Sequence, residues 1–181
     1  CKLFDLIGVN YILLEYPQNM QNILHESKIN IFKEMINIIF KYHKLEKDII
    51  WGTSLGGIIA SYLYYLDKDY KYLVHCISSV NPMKSKNKYI NLWSNLYNIT
   101  LPGNILISKF PKKNRPVIVI YSIHDAYFKD QVELLENRDN IILLQSTWTH
   151  TCIDIKAIYL DLLKNLNMNT IEINETEWML I

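Results

Sequence analysis

Glycine is scarce in these 181 residues, five in all, while tyrosine, isoleucine, asparagine and lysine abound. We read that as a compositional bias and not as a functional signal. Cysteine is sparse too. Cys1, Cys76 and Cys152 are odd in number and fall at no metal-ligand spacing, which argues against a disulfide framework and for a reducing, cytoplasmic setting. No apolar run reaches the length of a membrane span, and the phosphate-loop pattern G-x-x-x-x-G-K-S/T does not occur. The first residue is Cys rather than Met, so the sequence leaves open a signal, a lipid anchor or further structure upstream. Acidic residues are missing from one stretch. Between Asn81 and Arg115 there is no Asp or Glu, whereas Lys84, Lys86, Lys88, Lys109, Lys112, Lys113 and Arg115 are basic. That segment reads either as a solvated lysine-rich loop or as a surface facing anionic lipid or substrate.

Half the residues are hydrophobic and 20% are charged, a globular composition long enough for one domain with a sizeable core. Short apolar runs at Val9–Tyr16, Asp48–Trp51, Tyr72–Val80, Pro116–Tyr121 and Asn140–Leu144 read as strands. "PVIVIY" is the clearest, since a continuous β-branched run implies burial on both faces, as in a parallel sheet. Cys1–Leu6 reads as a helix end punctuated by Gly8. Ile29, Phe32, Ile36, Ile39, Phe40 and His43 form a helical stripe, and Gly57–Leu66 reads as a buried helix. Lys129–Asn137 suits a short helix. Ile155, Ile158, Tyr159, Leu162 and Leu166 mark an amphipathic one, with Thr151 and Asp154 as its capping box. Alternation of this kind predicts an α/β fold, a mostly parallel sheet with helices on both faces. The expected domain covers 1–166, with 81–115 as a basic, lid-like insert, and 167–181 is an unplaced tail.

Gly52-Thr53-Ser54-Leu55-Gly56 spells G-x-S-x-G, a pentapeptide that arises by chance in roughly a few per cent of chains this long. Its context makes it informative. A strand precedes it and a helix follows, so Ser54 is expected at a strained strand-to-helix turn. Gly52, Gly56 and Gly57 give the two backbones room there. The helix N-terminus offers free N–H groups to an oxyanion, Leu55 N–H among them. A serine hydroxyl needs a base, and the base an orienting acid. In this topology both come from loops after later strands. "SIHD" follows one such strand and "STWTH" the next, which places Asp125 and His150 in the order Ser, Asp, His.

On these motifs the chain resembles the α/β-hydrolase superfamily, from about Val9 to Leu166. "IIWGTSLGG" looks like the nucleophile elbow, "RPVIVIYSIHDAYF" like the acid segment, and "STWTHTCID" like the histidine loop. "GVNYILLEYP" is similar to the strand that precedes a Gly-containing loop in Bem46-like and serine-aminopeptidase-like members, and protein-depalmitoylase-like hydrolases are similar in outline. Ser122 stands where the acid segment usually carries Gly, and Thr149 where Gly usually precedes the histidine. The His-Gly-type loop that supplies a second oxyanion donor has no counterpart after Cys1, so either the first strands and that loop lie upstream of Cys1 or the protein lacks the loop. The resemblance implies a serine hydrolase acting on an ester, thioester or related acyl bond, as in esterases and lipases. Ser54 would be nucleophile, His150 base and Asp125 orienting acid. The alternative is a non-catalytic binding protein that lacks a complete oxyanion hole.

Other residues fit these roles less well. His124 adjoins Asp125 but its side chain should diverge. His75 sits in an apolar run and reads as a satisfied core histidine. His25 and His43 read as surface or helix-edge residues. Asp130 is a fallback acid, Asn81 cannot ionise, and Cys152 reads as an inert thiol. Trp93 and Trp148 are candidates to line an acyl pocket. No metal or organic cofactor and no nucleic-acid partner is expected. The substrate is expected to be a small molecule or acyl chain, and the basic, apolar segment 81–115 a candidate contact with anionic membrane.

Overall fold

A computed structural model describes residues 2–14, 26–78, 88, 115–125, 132, 135, 138–147, 149–150 and 155–179. Among these residues four strands, β1 (Ile49–Thr53), β2 (Tyr72–Cys76), β3 (Val117–Ser122) and β4 (Ile141–Ser146), form one sheet in the order β1-β2-β3-β4. Every pairing is parallel, with Gly52 opposite His75, His75 opposite Val119 and Val119 opposite Leu143. Parallel neighbours cannot be joined by a tight turn, so each strand returns to the same end of the sheet. That puts the loops after β1, β3 and β4 side by side.

The two-residue period of the strands divides the core. Leu73, Val117 and Val119 are buried on one face with Ala60 and Tyr64 of helix α3 (Leu55–Leu66). Val74, Cys76, Ile118, Ile120 and Leu144 are buried on the other with Ile158 and Leu162 of helix α4 (Ile155–Asn165). Helix α3 is apolar all round because it lies between the sheet and helix α2 (Glu26–His43), whose Ile29, Phe32 and Ile36 cover Ile58, Ile59, Tyr62 and Leu63. The sequence-predicted α/β arrangement, with helices on both faces of a parallel sheet, is the one observed.

Helix α1 (Lys2–Leu6) ends as the Gly8 signal predicts. Gly8 has φ +67°, its N–H donates to the Asp5 carbonyl, and Val9 N–H donates to that of Phe4. This is the two-bond stop that favours glycine in the left-handed region. The strand expected from Val9 is not formed. Residues 9–14 pair with no strand among the described residues, and Tyr11 and Leu13 are exposed. Tyr11 instead lies 5.7 Å from the Phe4 ring and donates its hydroxyl to Asp5, so the apolar run folds back on α1. Its remainder, 15–16, lies outside the described residues.

Strand β2 stops at Cys76, short of the expected Val80. Ile77 takes φ +40°, which ends the extended geometry. Residues 168–179 of the tail are also placed. Helix α5 (Glu175–Trp178) starts with a capping box between Asn174 and Glu177. Trp178 meets Tyr159 of α4 edge-on at 5.2 Å, in a cluster with Leu3 and Leu163. The helix expected over 129–137, the capping box at Thr151 and Asp154, and the 81–115 insert fall outside the described residues, apart from Lys88, Arg115, Val132 and Leu135.

Arg115 departs from the reading of a solvated basic loop. Its guanidinium donates to the carbonyls of Asp67 (2.8 Å), Tyr70 (2.7 Å) and Tyr64, and lies 3.9 Å over the Tyr64 ring. A planar five-donor fork suits such convergent carbonyls.

Candidate active site

Ser54 stands between β1 and α3 with φ 53° and ψ −121°, outside the regions open to ordinary L-residues. Two backbone bonds hold it there. Its N–H donates to the Cys76 carbonyl at 3.0 Å, and its own carbonyl accepts from Gly57 N–H at 3.0 Å. That carbonyl also accepts from the Ser78 hydroxyl. The glycines permit the turn by having no side chain. A Cβ on Gly52 would stand 2.1 Å from the Gly56 oxygen, and one on Gly57 would stand 2.4 Å from Ser78 Cβ. Ser54 occupies the N-cap position of α3, yet its side chain makes no capping bond.

The Ser54 hydroxyl faces His150 instead, with Oγ 3.1 Å from Nε2. On the far side of the ring, His150 Nδ1 lies 2.9 Å from Asp125 Oδ2. A carboxylate only accepts, so Nδ1 carries the hydrogen and the Nε2 lone pair is turned to the serine. Asp125 is 1% exposed, whereas the His150 side chain is 23% exposed, so the chain of bonds runs from the protein interior to an accessible serine. The three residues expected to act together are brought together from the ends of β1, β3 and β4.

The turn carrying Asp125 depends on Ser122, which is buried at the end of β3. Its hydroxyl accepts from His124 N–H at 3.1 Å and its carbonyl from Asp125 N–H at 3.2 Å. Side-chain capture of a backbone N–H two residues on is a recurrent serine turn. It accounts for Ser122 where the resemblance expects glycine. His124 is exposed and its neighbour Asp125 turns inward, as their divergence predicts.

The Leu55 N–H opens α3 in its first turn, where helix geometry provides no internal partner. Among the described residues it makes no turn, loop or cap bond, so it stands beside Ser54 as the expected oxyanion donor. Ser78 and Ile77 are site-supporting residues that sequence reasoning passed over. Ser78 ties β2 to the elbow through the Ser54 carbonyl, and the positive φ of Ile77, rare for a β-branched residue, aims it there.

His75 is buried at 1% exposure, with Nδ1 3.0 Å from Ser61 Oγ and 3.2 Å from the Gly57 oxygen. It is the buried core histidine expected, bonded through Nδ1; among the described residues Nε2 has no partner within strict hydrogen-bond geometry, although the Ser78 backbone acts on the ring. Burial pushes its pKa down to about 4, so the ring is neutral. Burial also pushes the Cys76 thiol up to about 12, which leaves it unreactive. His43 is exposed at the end of α2. Trp93, Trp148, Asn81, Asp130, Cys152 and His25 lie outside the described residues. Among the described residues no cluster of His, Cys, Asp or Glu could hold a metal ion, and no helix is long and apolar enough to cross a membrane.

No family model and no curated protein matches the chain by sequence. Solved structures do match it in three dimensions. An α/β hydrolase enzyme from a sediment metagenome of the Mar Chica lagoon superposes with a TM-score of 0.52 at 19% identity, over 78% of this chain and 70% of that one. An esterase of Pyrobaculum calidifontis gives 0.55 at 16% identity, over 87% of this chain and 62% of the esterase. An acylaminoacyl peptidase of Pyrococcus horikoshii gives 0.57 at 12% identity, over 88% of this chain and 32% of the peptidase. The chain thus spans less than two thirds of the length of these last two proteins. At such identities the likeness is one of architecture, and by its architecture the chain has the α/β-hydrolase fold.

Proposed function

We propose that the protein is a serine hydrolase that cleaves an ester, thioester or related acyl bond. The observation that carries this reading is the continuous hydrogen-bonded chain from Ser54 Oγ through His150 to the buried Asp125. In the proposed reaction Ser54 Oγ attacks the carbonyl carbon while its proton passes to His150 Nε2. Asp125 holds the ring in the required tautomer and stabilises the imidazolium. The tetrahedral oxyanion is held by Leu55 N–H at the positive end of α3, and each such donor is worth about 100–1000-fold in turnover. His150 then gives its proton to the departing alcohol or thiol. Water, activated by the same ring, releases the acyl group from Ser54.

The fold neighbours include an esterase and an acylaminoacyl peptidase, and these two support acyl transfer as the reaction class. A lipid or acyl-protein substrate is the narrower proposal. It rests on the sequence of 81–115, where Trp93, Leu96, Tyr97, Ile99 and Leu101 accompany the lysines. Trp93 and Trp148 are proposed to line the acyl site. Peripheral contact of this segment with anionic membrane predicts retention on anionic liposomes at low salt and release at high salt.

A fluorophosphonate probe tests the reaction class. Labelling of the wild type that disappears in Ser54→Ala is the expected result. An unlabelled wild type, or equal labelling of Ser54→Ala, overturns it and favours a non-catalytic module built on the same fold.

A further inference from the structure

Helix α2 carries two apolar stripes, and the fold uses one. Ile29, Phe32 and Ile36 are buried against α3. Ile31, Met35, Ile38 and Tyr42 recur at intervals of four, three and four residues along an adjoining face, and they are 53%, 50%, 67% and 81% exposed. Alternating spacings of three and four are those of a helix–helix seam, in which each side chain enters a gap on a facing helix. Scattered exposed apolar residues call for no explanation, but a contiguous stripe of four marks an interaction surface.

The charges beside the stripe identify its occupant. Glu34 and Lys41 lie seven residues apart on the same edge of the seam, both exposed, and neither is in an ion pair among the described residues. In an antiparallel pair with two-fold symmetry, Met35 packs beside the second copy's Ile38, and Ile31 beside its Tyr42. The same register sets Glu34 of each copy opposite Lys41 of the other, so one stripe is complementary to itself in both shape and charge. A membrane is a poorer match, since an acid and a base share this edge.

We propose that α2 docks on α2 of a second copy of this chain, antiparallel, with Met35 and Ile38 at the centre and two Glu34–Lys41 pairs at the rim. The 18-residue helix is about 27 Å long, so the contact belongs to the small, weak class of specific interfaces. Association in the micromolar range follows. The stripe lies on α2 and not on the β1, β3 and β4 ends that carry Ser54, Asp125 and His150, so pairing leaves the proposed reaction unaffected.

Sedimentation equilibrium of the full chain, from micromolar to submillimolar concentration, tests this. The wild type should be a reversible dimer and Ile38→Asp a monomer. Glu34→Lys and Lys41→Glu should each dimerise about tenfold more weakly, because each sets like charges face to face twice. An equimolar mixture of these two variants should recover wild-type affinity, as should the double exchange in one chain. Circular dichroism checks that every variant is folded. A wild type that stays monomeric throughout overturns the proposal. So do charge variants that dimerise as the wild type does, a mixture that restores nothing, and a chain that binds lipid vesicles through this stripe without self-association.

Discussion

Ser54 Oγ and His150 Nε2 stand 3.1 Å apart although 96 residues separate them in the chain. Parallel pairing achieves this, because it brings the C-terminal ends of β1 and β4 to the same end of the sheet. Asp125 arrives there from β3 and bonds the other ring nitrogen at 2.9 Å. Asp125→Asn keeps the shape and loses the carboxylate. It can stabilise the wrong tautomer, in which Nε2 carries the hydrogen and cannot accept from serine. Turnover of an activated ester should fall by about 10,000-fold while the melting temperature stays near wild type. Steady-state kinetics with thermal unfolding checks both, and an activity within tenfold of wild type would remove Asp125 from the proposed role.

Gly57→Ala should damage the elbow chiefly through Ser78, with a milder contact to the Gly52 oxygen at 3.2 Å. The added Cβ meets Ser78 Cβ at 2.4 Å, and overpacking of this kind costs about 1–3 kcal/mol. Adding Ser78→Gly removes the clashing atom and should recover part of the loss in chemical denaturation. It should not recover full probe labelling, since the hydroxyl that holds the Ser54 carbonyl is gone.

His75 makes the fold sensitive to acid. Its pKa is lowered from 6.5 to about 4 by burial, so the unfolded chain binds a proton over that interval and the native ring does not. The stabilisation is complete above pH 6.5 and declines as pH falls towards 4, by up to about 3 kcal/mol. His75→Leu should flatten that part of the stability profile while changing stability at pH 7 by about 1 kcal/mol or less, since Ser61 still donates to the Gly57 oxygen at 2.7 Å. Denaturant titrations at a series of pH values check it.

Arg115→Lys should behave as a severe substitution. A lysine cannot reach the carbonyls of Tyr64, Asp67 and Tyr70 in one plane, nor stack on the Tyr64 ring. Leaving buried carbonyls short of donors costs about 1–3 kcal/mol. An unfolding free energy unchanged from wild type would show that the clamp contributes nothing.

The parallel sheet was legible because β2 and β3 are buried on both faces and therefore read as continuous apolar runs. Ser54, Asp125 and His150 were legible because each follows such a run at a fixed place in the topology. Val9–Leu14 misled for the same reason. An apolar run of that length is equally suited to a strand or to a segment that packs on its own preceding helix, and Tyr11 chose Phe4 and Asp5. Ser78 and Ile77 carry no pattern at all. Their roles depend on a backbone direction and on a distance of approach, which a string of residue types does not encode. Arg115 looked like one more surface cation because the carbonyls it gathers come from residues 64–70.

The backbone at Ser54, with φ 53° and ψ −121°, is one that glycine would occupy at lower cost. At this position folding and the proposed chemistry are antagonists. Serine there is a local defect of about 1–3 kcal/mol, and the proposed role of its hydroxyl gives the reason it is kept. A search for thermostable variants of this protein should therefore find Ser54→Gly early, and in the proposed reaction every molecule carrying it is sturdier and silent.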